Sequence, residues 1–297
     1  MKFLGRAFRG LLPYAIYKQL YIVPDQRERL RIEEEARRER DRIVALAAPN
    51  TDLRNVQQGK RCFILCNGPS VKHQNIRPLK DEIVISVSSG YMHPDYAEIA
   101  PAYHCVPQIT YGLMTRSDVV AWFREMHQHL GNAILFLNHT EEALVREEKL
   151  FPGRDVRYVY LTGPFSHYSV HALPNVAAEM PGVQSVAIMA ILISMYMGLN
   201  EIYLLGTDHD QFRSGEYKYF YEPALLRGKD LTADENGKLR GGWHDELISL
   251  AALWSQYRSV RQIAASNNIE IFNATYGGEL DEFPRVKLES LFQTRPE

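Results

Sequence analysis

The fold class that the sequence predicts is α/β: a Rossmann-like open, mostly parallel sheet with helices on both faces and a lid-like insertion. Three observations predict it. Short apolar runs of four to six residues recur along the chain, and several are continuous rather than alternating, as in strands buried on both faces. Helical stretches lie between them. Several runs also stop abruptly in polar or glycine-containing segments, where open α/β sheets place their ligand loops.

The runs are Cys62–Cys66, Ile83–Val87, a weaker one at Ala102–Val106, then Ala133–Leu137, Val156–Leu161, Ile202–Leu205 and Ile269–Ala274. Helices are expected over 116–130, 141–149, 183–197 and 246–266. Residues 183–199 carry no charge at all. Their strongly apolar part is too short for a membrane span and leads straight into the strand at Ile202, so it reads as a helix buried against the sheet.

Ahead of this body the pattern is different. Residues 25–46 hold seven acids and seven bases, many at i,i+3 or i,i+4 spacing, which describes a solvated helix. Pro24 belongs in its first turn, where a missing N–H costs little. Before it, Lys2, Arg6, Arg9 and Lys18 mingle with Phe3, Leu4, Phe8, Leu11 and Leu12, and no acid precedes Asp25. Pro13 and Lys18 break the apolar run, so neither a signal peptide nor a transmembrane span fits. Two readings stand for this segment. It lies in the interface of an anionic membrane, or it packs on its own domain or on a second subunit.

Composition excludes other classes. The 297 residues are 45% hydrophobic and 24% charged, with a net charge of −2; this is not a collagen-like or disordered chain, and no nucleic-acid partner is expected. Cys62, Cys66 and Cys105 are the only cysteines, too few for a disulfide scaffold or a four-cysteine zinc site, and typical of a reducing compartment.

Candidate site residues cluster after the strands. Asn67-Gly68-Pro69-Ser70 follows the first run directly. Gly68 can bring backbone close to a ligand or take a positive φ, and Ser70 can cap the next segment while offering its hydroxyl. The loop is neither a G-x-G-x-x-G fingerprint nor a P-loop. Ser88-Ser89-Gly90 follows the second run and should share its rim. Gly206-Thr207-Asp208-His209-Asp210 ends the Ile202 run, with two carboxylates flanking an imidazole. It reads either as a functional cluster or as a turn in which Asp208 caps a backbone N–H. His244 sits just ahead of a helix expected to begin near Asp245, where it could serve as a general base. Residues 213–240 form the insertion, with Tyr217, Tyr219 and Tyr221 as aromatic contacts.

Taken in order, FILCNGPSV, GLNEIYLLGTDHD after an uncharged helix, WHDE and a terminal IEIFNAT resemble the bacterial sialyltransferase family of Campylobacter-type enzymes. They also resemble the wider Rossmann-like group with motility-associated and pterin pyrophosphokinase-like members. The resemblance covers about residues 61–276. It implies that Asn67, Gly68, Pro69 and Ser70 hold a CMP-sugar, that tyrosines among Tyr217, Tyr219 and Tyr221 contact its phosphate, and that His244 is the base. Two positions depart from the family: Ser88 stands where a second asparagine is expected, and Ser185-Val186-Ala187 where the family has Thr-Ser-Gly.

The function expected is therefore sugar transfer from a nucleotide-activated, CMP-linked donor to a cell-surface glycan or glycolipid acceptor. His244, Asp208 and His209 are the catalytic candidates. Asn67 to Ser70, Ser88, Ser89, Ser185, Gly206, Thr207 and the three tyrosines are the donor-binding ones. No cofactor is required on this reading. The alternatives are a pyrophosphokinase-like enzyme holding magnesium on Asp208 and Asp210, or a non-catalytic membrane-peripheral scaffold. The expected division is a basic amphipathic segment (1–24), a charged helical linker (25–50) and a nucleotide-sugar-binding catalytic domain (51–297), in a cytoplasmic protein peripheral to the inner face of the plasma membrane, with homo-oligomers left open.

Overall fold

The computed structural model of the chain describes residues 23–109, 114–214, 219–221 and 242–293. The basic segment before residue 23, Tyr217 and most of the 213–240 insertion lie outside the described residues. The chain divides into two units, Met1–Ala45 and Leu46–Glu297.

The first unit is described from Val23, where helix α1 (Val23–Ala47) begins. Its side chains pair along the helix surface, Arg31 with Glu28, Arg38 with Glu34 and Arg42 with Glu39, at 2.6–2.8 Å. All of these groups are solvent-exposed, so each pair adds little to stability.

The second unit is an α/β fold built on one sheet. Its strands are β1 (Arg61–Leu65), β2 (Ile83–Val87), β3 (Tyr103–Cys105), β4 (Ile134–Asn138), β5 (Val156–Thr162), β6 (Glu179–Pro181), β7 (Glu201–Leu205) and β8 (Glu270–Asn273). They lie in the order β6-β5-β4-β3-β2-β1-β7-β8, and every adjacent pair is parallel. The seven runs read from the sequence are all strands. The eighth, β6, escaped that reading because it is three residues long and ends in Pro181.

The helices are α2 (Tyr96–Ile99), α3 (Arg116–His129), α4 (Glu142–Glu147), α5 (Val186–Tyr196), α6 (Gln211–Ser214) and α7 (Gly242–Ser266). Side chains of each strand alternate between the two faces. Cys62, Ile64, Ile85, Val87, Cys105 and Phe136 meet α5 and the buried side of α7 on one face. Leu135 and Leu137 pack with Val119, Phe123 and Met126 of α3 on the other. Every residue of α5 from Ala187 to Tyr196 is buried, which is why the helix tolerates no charge. No helix among the described residues is long and apolar enough to cross a membrane.

Topology positions the site. From β1 the chain runs outward through β2 to β6, then returns to lay β7 on the other side of β1. The strand order reverses between β1 and β7, and in such sheets the ligand crevice opens there, outside the carboxyl ends of the strands. Leu65 is in register with Leu205, so the loops starting at Cys66 and Gly206 leave the sheet side by side.

Candidate functional site

The loops after β1 and β7 are locked together. Gly68 N–H donates to the Gly206 carbonyl at 2.9 Å, extending the sheet by one bond. Beyond it a short 3₁₀ turn, Pro69–His73, begins with Gly68 at its N-terminal cap and no side-chain cap of its own. The cap comes from across the crevice: Asp208 accepts the Ser70 N–H at 3.1 Å and the Ser70 hydroxyl at 2.7 Å. Ser70 is thus not the capping residue that its position suggested, and its hydroxyl proton is directed to Asp208. Asp208 is the cap of a backbone N–H, on a neighbouring loop. Burial holds its pKa above the usual carboxylate value, against the opposing pull of the two Ser70 bonds.

Two glycines are required by this closeness. Gly206 takes φ +67°, and a Cβ there would stand 2.7 Å from the Cys66 carbonyl oxygen. Gly68 has an ordinary φ of −61°; a Cβ on it would lie 1.8 Å from Asp208 Oδ2 and 2.5 Å from the Gly206 carbonyl oxygen. The sequence suggested that Gly68 makes room for a ligand or takes a positive φ. The φ is not positive, and the space that a side chain at Gly68 would fill is occupied by Asp208.

Thr207 faces β8 rather than the crevice. Its N–H and hydroxyl both meet Thr275 Oγ1, at 3.1 and 2.9 Å, and Glu279 N–H donates to the Asp208 carbonyl at 2.7 Å. Thr275 and Glu279 carried no signal in the sequence, because their part depends on the β7–β8 pairing.

His209 has φ +48° and an imidazole set 2.8 Å from the Tyr257 hydroxyl through Nε2, with Trp254 edge-on at 5.9 Å. Burial lowers its pKa to about 4, so the ring is neutral at pH 7. Asp210 is half-buried beside it. A magnesium ion on Asp208 and Asp210 would compete with Ser70 for both Asp208 oxygens. Among the described residues no three His, Cys, Asp or Glu side chains stand close enough to hold a metal.

The loop after β2 joins the same rim. Ser88 takes φ +48°, and at Gly90 a Cβ would lie 3.5 Å from Asn67 Oδ1. Ser89 Oγ accepts from Trp122 Nε1 at 3.2 Å, with the Tyr91 and Tyr221 hydroxyls nearby. From the insertion, Phe220 N–H donates to the Asn67 carbonyl at 3.0 Å, and Tyr219 stacks on Tyr221 with ring centroids 5.3 Å apart. Burial raises the pKa of both tyrosines, so each hydroxyl keeps its proton at neutral pH. Within this group Asn67 is 8% exposed, and its Oδ1 has no hydrogen-bond partner among the described residues.

Two candidates stand apart. Ser185 caps α5, accepting from Ala187 N–H at 3.2 Å; the helix begins on the rim side because it follows the carboxyl end of β6. His244 is not ahead of its helix but inside the first turn of α7, which starts at Gly242. Its side chain is 83% exposed and, among the described residues, bonds the adjacent Asp245 at 3.1 Å. Tyr257, the partner of His209, lies on the same helix about 20 Å further along the axis. The structure therefore brings together Asn67, Gly68, Ser70, Ser88, Ser89, Gly206, Asp208, Tyr219 and Tyr221, and leaves His244 outside that group.

No family model and no curated protein matches the chain. Among solved structures, it is similar to the MAf glycosyltransferase from Magnetospirillum magneticum AMB-1, with a TM-score of 0.47 and 14% identity, over 82% of this chain and 38% of that one. The chain thus spans under two fifths of the length of that protein. It is also similar to the sialyltransferase CstII from Campylobacter jejuni, solved with the substrate analogue cytidine-5'-monophosphate, with a TM-score of 0.41 and 14% identity, over 77% of this chain and 85% of that one.

Proposed function

We propose that the crevice between β1, β2 and β7 binds a nucleotide-activated sugar, CMP-linked, and that the protein transfers the sugar to a glycan or glycolipid acceptor. One observation carries the reading: Asn67 Oδ1, buried at the switch point of a parallel sheet, has no donor among the described residues. Buried acceptors are almost always satisfied, and an amino group or hydroxyl of a bound ligand would satisfy this one. The surrounding chemistry agrees with a phosphate-bearing ligand. Tyr219 and Tyr221 remain proton donors, and a hydroxyl donor aimed at a leaving phosphate stabilises the charge that develops there. The order of the sequence motifs supports the same assignment.

Sugar transfer also needs a group that takes the proton of the acceptor hydroxyl. His209 is neutral at pH 7, but its lowered pKa makes it a weak base and its Nε2 is engaged by Tyr257. His244 is open to solvent and is the base on this reading through the sequence motif alone; the role requires that it come within hydrogen-bond reach of the acceptor hydroxyl at the crevice.

Titration of CMP, UDP, GDP and ATP into the protein, each with and without EDTA, tests the proposal. CMP should bind in both conditions, and Asn67→Ala should weaken it at least tenfold with the fold intact. ATP binding that EDTA abolishes, with none by CMP, would replace this function with the pyrophosphokinase-like one.

A further inference from the structure

A buried imidazole that the proposed chemistry does not use lies directly beneath the rim. His104, in the middle of β3, is wholly buried. Its Nε2 lies 2.9 Å from the Ser88 carbonyl oxygen and its Nδ1 2.7 Å from Ser86 Oγ; Ser86 Oγ is in turn 2.9 Å from the Tyr96 hydroxyl. The geometry decides where the protons sit. A carbonyl oxygen only accepts, so Nε2 carries the hydrogen and Nδ1 is the bare nitrogen. Ser86 has one proton, and its shortest contact is Nδ1; its other acceptor, the Tyr103 carbonyl, is 3.4 Å away. Tyr96 then donates to Ser86. The result is a directional chain, Tyr96 to Ser86 to His104 to the Ser88 carbonyl, with every member satisfied.

Its far end is the loop after β2. Ser88 is a non-glycine residue in the left-handed region, a conformation of modest cost that persists only where its surroundings fix it. Ser88 N–H is held by the Cys105 carbonyl at 2.9 Å, and its carbonyl by the imidazole. Both anchors come from β3. Two residues on, Gly90 approaches Asn67 Oδ1, so the placement of this loop sets the surroundings of that acceptor.

We propose that His104 is a positioning residue: by donating Nε2–H to the Ser88 carbonyl it holds the Ser88–Gly90 loop in the conformation that forms the nucleotide side of the crevice. This rests on the crevice being a nucleotide site, and the test separates the two. Glutamine at 104 keeps a donor near the position of Nε2. Asparagine keeps a polar group near Nδ1 but is too short to reach Ser88.

The experiment compares wild type, His104→Gln and His104→Asn by CMP titration and by hydrogen exchange of the 88–90 amides without ligand. Expected are a loss of CMP affinity of at least tenfold and faster loop exchange in His104→Asn, with His104→Gln within about threefold of wild type in both. In ¹⁵N-histidine spectra, wild-type His104 should show the neutral Nε2–H tautomer. If wild type binds CMP and the two variants equal it, the positioning role is overturned while the nucleotide site stands. If wild type does not bind CMP, the nucleotide reading fails and loop exchange alone decides: equal exchange in all three proteins overturns the role. Equal losses in both variants, in step with their melting temperatures, also overturn it, since a purely structural histidine behaves that way. Should His104→Asn not fold, Ser86→Ala replaces it. That change frees Nδ1 and should speed exchange at Ser88, and no change there rejects the proposal.

Discussion

Ser70 and Asp208 are joined by two hydrogen bonds, at 3.1 and 2.7 Å, although 138 positions separate them in the chain. The pair bolts the β1 loop to the β7 loop at the point where the strand order reverses. A charged acceptor makes each bond stronger than a neutral one would. In a double-mutant cycle of Ser70→Ala and Asp208→Asn the two residues should couple by about 1–3 kcal/mol. Chemical denaturation of the four proteins measures this, and additive losses would mean that the bonds contribute nothing to stability.

Gly68→Ala should destabilise the protein before it affects any ligand. The new methyl group meets Asp208 Oδ2 and the backbone carbonyl of Gly206, and the latter cannot rotate away. Overpacking of this kind costs about 1–3 kcal/mol. A melting temperature equal to that of wild type would show that the Asp208 carboxylate moves aside easily.

Stability should fall as pH drops below neutrality, partly through two histidines. Burial lowers the pKa of His104 to about 3 and that of His209 to about 4, against 6.5 for the free side chain. Between those values the unfolded chain binds protons that the folded one refuses, so stability is present above about pH 6.5 and declines toward pH 4. Each group contributes a slope of up to about 1.4 kcal/mol per pH unit. Asp208 acts in the opposite sense, because its raised pKa lets the folded state take a proton more readily. Denaturant titrations from pH 8 to pH 5 should give a shallower slope for His104→Gln than for wild type; identical slopes would show that His104 titrates normally.

His244→Ala should leave CMP affinity within about twofold, since the exposed side chain bonds no residue of the crevice group among the described residues. If His244 is the base, sugar transfer should fall roughly 100-fold at unchanged donor affinity. His209→Ala should instead disturb binding and stability together, because it empties a half-buried site against Tyr257 and Trp254. Separate measurement of transfer rate and donor affinity distinguishes the two, and normal transfer by His244→Ala would remove that residue from the reaction.

Much of the fold could be read directly. Ile83–Val87 matches β2 residue for residue, because a β-branched run closed by Ser-Ser-Gly has few other ways to fold. The uncharged stretch before Gly198 became α5 for the same kind of reason. The site was less legible. Asn67, Ser89 and Asp208 stand out in the sequence, but whether Asp208 faces a ligand, a metal or Ser70 depends on strands paired across 138 positions. His104 belonged to the weakest of the seven runs, and nothing in YHC announces that its ring reaches back to Ser88. His244 drew attention through its local context, Gly-Gly-Trp-His-Asp, yet that context says nothing of where the first turn of a 25-residue helix comes to lie.

The placement of β7 beside β1 also governs how the chain can be made. A nascent chain that has emerged only as far as β6 holds β1 with one long edge unpaired, and the strand that covers this edge is still to come. That bare edge is flanked by Phe63, Ile64 and Leu65, all of which end fully buried, and exposed edges of this composition invite pairing with other chains. Of all the strand pairings, that of β1 with β7 is the most distant in sequence, so it forms late and slowly. Fragments ending before Glu201 should therefore aggregate rather than fold, whereas cuts within 222–241 still leave β7 to complete the centre of the sheet.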